Sequence, residues 1–135
     1  MLRIFSPDSP YKKSARFLAK LWALLILIAC LTPSQEIPKV DIPLIDKWTH
    51  LVLFGIFSFL WMCARPARNV GWLVGLFLIS VAFGAVIELL QGALTFLGRS
   101  MEFMDAVADA GGGLIGIVVF CTIAYFTTSR KTRHL

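Results

Sequence analysis

The sequence predicts an all-α fold, an integral membrane bundle of four transmembrane helices with a short interfacial segment between the third and fourth. Three observations carry this expectation. Hydrophobic residues make up 58% of the 135-residue chain and charged residues only 16%, against about 25% charged in soluble domains. The apolar residues collect in four runs, about 17–32, 48–64, 70–90 and 106–126, which approach the ~20 residues that cross a bilayer core. The charges are also sorted. Seven of the eight acidic residues fall in the first and third connections or at the span ends facing them, whereas ten of the thirteen Lys and Arg fall in the two tails and the second connection.

Flanking Lys and Arg are retained on the cytoplasmic side of a membrane. The expected orientation is therefore a multi-pass membrane protein with both termini cytoplasmic. Length allows one domain, 1–135. The formal charge of +5 does not indicate a nucleic-acid partner, because the basic residues mark span ends and no basic groove with interleaved aromatics is visible. Cys30, Cys63 and Cys121 lie in or at the ends of apolar runs without CxxC or metal-like spacing, and read as small buried hydrophobes.

The first apolar run is short, so Arg16 and Lys20 must snorkel toward the inner headgroups. A rival reading is a signal peptide, since Lys12, Lys13, Arg16 and Lys20 precede the run and Leu27-Ile28-Ala29-Cys30 resembles a lipoprotein cleavage box. An uncleaved helix is preferred, because its removal leaves three spans. Pro33, Pro38 and Pro43 make the following stretch an extended outer loop, in which Glu36, Lys39 and Asp41 are solvated. The second span ends at a tight basic turn, Arg65-Pro66-Ala67-Arg68-Asn69, and the third follows. Residues 92–104 mix apolar side chains with Arg99 and Glu102, as interfacial or re-entrant segments do. After the fourth span, 129–135 reads as a basic, disordered tail in which His134 has no role. Gly71 with Gly75 and Gly112 with Gly116 form two GxxxG pairs, a spacing that permits close helix approach. Trp48, Trp61 and Trp72 sit near span ends as interfacial anchors.

Alternating crossing directions bring the unusual polar residues to one face. Asp46 and His50 open the second span, Glu88 and Gln91 close the third, and Asp105 and Asp109 open the fourth, with Arg99 in the connection. Each pair is spaced three or four apart, on one helical face. Ionisable groups at membrane depth are expensive and face a bundle interior or a watery cavity. His50 and Glu88 are the candidate acid/base pair, His50 as general base and Glu88 as proton donor or acceptor. Asp46, Gln91, Arg99, Asp105 and Asp109 are the candidate substrate-binding residues, with Arg99 able to clamp phosphate or carboxylate. A purely structural network is the alternative. In it Asp46 and Asp105 cap their helices, His50 donates to Glu88, and Arg99 pairs with Asp105 or Glu102. One His with several carboxylates has donor chemistry for Mg or Mn. No tight motif supports this, so no metal and no cofactor is assigned, and HExxH, GxSxG and a Cys/His pair are all missing.

The strings Asp46-Lys47-Trp48-Thr49-His50 with Phe54, Glu88-Leu89-Leu90-Gln91, Gly98-Arg99, and Asp105-Ala106-Val107-Ala108-Asp109-Ala110-Gly111, in this order, resemble the VanZ-like family over roughly residues 46–116. That family carries DKxxH at the start of one helix, ExxQ at the end of the next, an Arg in the connection, and DxxxNxxG opening the last. Asp109 stands where the family usually has Asn, which puts any inherited role for that position in question. The resemblance implies a small bacterial multi-helix membrane protein and supports an uncleaved first helix. The founding member is associated with resistance to a teicoplanin-type glycopeptide, which is not carried over, and no reaction is settled for the family. The functional expectation is binding or modification of a lipid-linked or amphipathic envelope molecule at a polar pocket on the outer-leaflet side, within the lipid bilayer. The alternative is a non-catalytic scaffold.

Overall fold

The computed structural model describes residues 3–36 and 43–132, with side chains through 127. Pro38, Lys39, Asp41, Arg133 and His134 lie outside the described residues. Among the described residues there are four α-helices: α1 (Lys12–Leu31), α2 (Ile45–Ala64), α3 (Val70–Ala93) and α4 (Phe103–Thr132). Each is long and apolar enough to cross a membrane. Their outward faces carry Leu24, Ile28, Val52, Val74, Leu78, Val118 and other exposed apolar side chains. Soluble monomers rarely expose such continuous apolar surface, so this is a lipid-facing belt.

α1 begins five residues before the expected span. Its buried residues are Ala15, Ala19, Ile26 and Cys30, a stripe at helical spacing that leaves Arg16 and Lys20 exposed. Trp22 fastens α1 to α2 by donating its ring N–H to the Leu53 carbonyl, at 2.9 Å. α4 continues to Thr132, so residues 129–132, expected in a disordered tail, are helical. At about 1.5 Å per residue its 30 residues reach roughly 45 Å, beyond an apolar core of about 30 Å.

α2 and α4 are the closest pair, and glycine is the reason. A Cβ on Gly112 would run into the Leu51 carbonyl, and one on Gly116 into the Gly55 carbonyl. The second GxxxG pair therefore works within the chain. The first does not, since a Cβ on Gly75 would meet nothing within 4 Å and one on Gly71 only the Asn69 side chain.

At the end holding the second connection, Asn69 caps α3 by accepting from the Trp72 N–H at 2.9 Å, and Arg65 lies over the Trp72 ring, 4.7 Å from its centroid. A 3-10 turn at Arg3–Phe5 folds back there. Phe5 packs against Phe59 and Phe120 and joins the core with Met62, Leu76 and Ala124.

At the opposite end the first and third connections are stitched together. Gly98, at φ +63, is left-handed backbone, and a Cβ there would meet Ser34 Oγ at 2.5 Å and Gln35. Both demands exclude a larger residue. Arg99 Nε donates to the Thr32 carbonyl at 3.2 Å. The expected interfacial segment is a short connection, 94–102, with one 3-10 turn at Thr95–Leu97.

Candidate functional site

The stitched end is formed by the start of α2, the end of α3 and the start of α4. His50 is the sixth residue of α2, Asp109 the seventh of α4, and Glu88 the sixth from the end of α3. At about 1.5 Å per residue these three lie roughly 8–9 Å below their helix ends. Geometry alone thus places them at one level. Asp46 and Asp105, second and third in their helices, lie nearer the end, so the polar residues form two tiers.

The outer tier is organised by Lys47. Its ammonium bonds Asp105 at 2.8 Å and Asp46 at 3.4 Å, and also bonds Glu102. Among the described residues Lys47, and not Arg99, is the cation paired with Asp105 and Glu102. The reason is reach. Lys47 stands on α2 beside Asp46, whereas Arg99 is drawn to the C-terminal end of α1, where carbonyls lack helical partners.

The inner tier is buried. His50 and Glu88 are each 3% exposed and Asp109 is 0% exposed. His50 Nδ1 lies 2.9 Å from Asp109 Oδ1. The expected His50–Glu88 bond is therefore replaced by a His50–Asp109 bond, and Glu88 Oε2 instead accepts the Glu102 backbone N–H at 2.7 Å. That N–H directly precedes α4, where the positive end of the helix dipole favours a carboxylate. Gly84 makes room for Asp109, since a Cβ there would lie 2.5 Å from its Oδ2. Two acceptors, Glu88 Oε1 and Asp109 Oδ2, are buried without a hydrogen-bond partner among the described residues. His50, Glu88 and Asp109 each offer a ligand atom within 4.8 Å of the others, and so do Asp46, His50 and Asp105.

Gln91 and Arg99 sit differently. Gln91 Nε2 donates to the Cys30 carbonyl at 2.8 Å, so both residues tie α1 to the site end. Below the inner tier the floor is apolar. Phe54 is 0% exposed and stacks with Phe57 and Phe83, and Ile26, Cys30 and Ile87 pack alongside. The α1 helix that a signal-peptide reading would remove is part of this floor. The three cysteines are free, with Cys30 and Cys63 buried.

Neither helix start uses its aspartate as a cap. The N-cap position of α2 is Leu44, left-handed at φ 58 and without a side-chain cap bond, and Asp105 lies inside α4. Sequence reasoning missed two members, Lys47 as the organising cation and Gly84 as the seat of Asp109. A signal existed for each, because Gly84 precedes Glu88 by one helical turn and Lys47 adjoins Asp46.

A family model described as VanZ/LLP1 matches residues 4–125, most of the chain. No curated relative and no solved structure matches it. The protein belongs to the VanZ/LLP1 family, and the match extends on both sides of the 46–116 stretch that carries the motif resemblance.

Proposed function

We propose that this VanZ/LLP1-family protein resides in the bacterial inner membrane with cytoplasmic termini, and that its polar cluster faces the outer leaflet. There it binds the polar head of a lipid-linked or amphipathic envelope molecule. The observation that carries the reading is the buried inner tier. Three ionisable groups from three helices sit at one level above an aromatic floor, and two of their acceptor atoms lack partners among the described residues. Such an arrangement is costly unless something completes it. Gln91, Arg99 and Lys47 have bonds that hold helices together, which narrows the ligand-facing candidates to His50, Glu88 and Asp109, with Asp46 and Asp105 at the mouth.

A reaction at the same place is the second reading, and the His50–Asp109 bond favours it. A carboxylate on one ring nitrogen fixes the imidazole's orientation and leaves the other nitrogen to take up or deliver a proton. Glu88 would then serve as the partner acid or base.

The test is native mass spectrometry of the protein purified from its membrane, wild type beside His50→Gln and Glu88→Gln. The expected result is a co-purifying amphiphile that is lost in both variants while thermal unfolding stays within about 2 kcal/mol of wild type. Identical bound species in all three would refute a ligand site here. A reporter fused at the Arg65–Asn69 turn should read cytoplasmic, and a periplasmic reading would invert the site.

A further inference from the structure

The two tiers differ in how their charge is balanced. The outer tier has its cation, since the Lys47 ammonium bonds Asp46, Glu102 and Asp105. The inner tier has two carboxylates, Glu88 and Asp109, and an imidazole. Carboxylates this deeply buried are ordinarily paired or bound to a metal. A doubly charged cation with two carboxylates and one neutral imidazole sums to no net charge.

The geometry also fits. Ligand atoms bound at about 2.1 Å and adjacent on a metal lie roughly 3–3.5 Å apart. His50 and Asp109 already present a nitrogen and an oxygen 2.9 Å apart, and all three residues offer atoms within 4.8 Å of one another. Glu88 carries an unpartnered oxygen, Oε1, free to turn toward such a cation. Asp109 Oδ2 is the second unpartnered acceptor, held over Gly84 where no Cβ intrudes. Glu88 Oε2 is fixed by the Glu102 N–H, an outer contact that orients a ligand carboxylate, as the second shell of metal sites commonly does.

We infer that His50, Glu88 and Asp109 form a binding site for one divalent cation of the Mn or Zn type, buried between α2, α3 and α4. Two oxygens and one imidazole suit these borderline ions better than Mg, which prefers oxygen alone and keeps its waters. On binding, His50 keeps its proton on Nε2, the proton shared between Nδ1 and Asp109 leaves to solvent, and Nδ1 and the Asp109 carboxylate each turn a lone pair to the metal. The inference goes beyond the envelope-ligand reading and does not need it. No sequence spacing could show it, because each ligand comes from a different helix.

The test uses the full chain in detergent, stripped with chelator and titrated with Mn²⁺, read by electron paramagnetic resonance. One bound Mn²⁺ per chain is expected, displaced by Zn²⁺, with ¹⁴N modulation in the spin-echo signal reporting the His50 imidazole. Asp109→Asn and Glu88→Gln should each weaken Mn²⁺ binding at least tenfold, and His50→Gln should abolish the ¹⁴N modulation. Absence of bound Mn²⁺ at millimolar concentration overturns the inference. So does Mn²⁺ bound without ¹⁴N modulation in the wild type, which would place it on carboxylates elsewhere. That second readout needs no variant, so it stands even if Asp109→Asn fails to fold.

Discussion

Gly84→Ala is the sharpest probe of the inner tier, because it adds one methyl group at a position whose three nearest atoms all belong to Asp109. The new Cβ would stand 2.5 Å from Asp109 Oδ2 and 2.8 Å from Asp109 Cβ. That is roughly 1 Å short of the ~3.5 Å at which such atoms attract. Asp109 must withdraw by about that distance, and because its Cβ is fixed to the backbone α4 must shift with it. Its Oδ1 lies 2.9 Å from His50 Nδ1, so a withdrawal of this size takes the pair beyond hydrogen-bond range. A buried bond to a charged group contributes about 1.5–3 kcal/mol. Replacing a mid-helix glycine by alanine returns about 1 kcal/mol of helix propensity. The expected net loss is about 0.5–2 kcal/mol. Gly75→Ala is the control, since its Cβ would meet nothing within 4 Å, and it should stabilise by up to about 1 kcal/mol. Thermal unfolding of both variants in one detergent reads the difference, expected at about 1.5–3 kcal/mol. Equal stability would refute the seating of Asp109 over Gly84, and with it the account of how His50 is held.

Gly116→Ala places a Cβ against the Gly55 carbonyl, which is backbone and cannot swing aside. α2 and α4 must separate, at a cost of about 1–3 kcal/mol, and a melting temperature unchanged from wild type would contradict the close crossing. Lys47→Met removes the cation from three carboxylates and leaves Asp105, whose side chain is 4% exposed, without it. Breaking such a pair costs about 3–5 kcal/mol when fully buried, and roughly 2–3 kcal/mol here because the Lys47 side chain is 22% exposed and partly screened. Lys47→Arg should recover most of it, and chemical denaturation that finds Met and Arg equivalent would show that charge at this position is unimportant.

Much of this architecture was legible because hydropathy and helical period are local properties. Four runs gave four helices, and alternate crossing put Asp46, His50, Glu88, Asp105 and Asp109 at one end. Partner choice was not legible. His50 bonds Asp109 and not Glu88, because the glycine seam of Gly112 and Gly116 draws α4 onto α2. Which of two GxxxG pairs makes that seam depends on what faces it, and nothing in the spacing distinguishes Gly75 from Gly116. Helix ends were misjudged where hydropathy stops but helix does not, as at Lys12 and at 129–132. The fold-back of Phe5 carried only a weak signal, four apolar residues (Met1, Leu2, Ile4 and Phe5) ahead of a polar stretch.

The charge balance of the two tiers constrains what the site can receive. An anionic head, such as a lipid phosphate, approaches carboxylates from α2, α3 and α4, and the Lys47 ammonium among them is already shared by Asp46, Glu102 and Asp105. Like charges in a low dielectric repel strongly, so a phosphate gains entry only if a cation in the inner tier stands between it and Glu88 and Asp109. A cationic or hydroxyl-rich head needs no such bridge and can satisfy the two unpartnered acceptors directly. The two proposals are therefore separable by experiment. Metal binding with chelator-sensitive capture of an anionic amphiphile fits a bridged head. Capture that persists in chelator requires a neutral or amine-bearing one, whatever the cation titration shows.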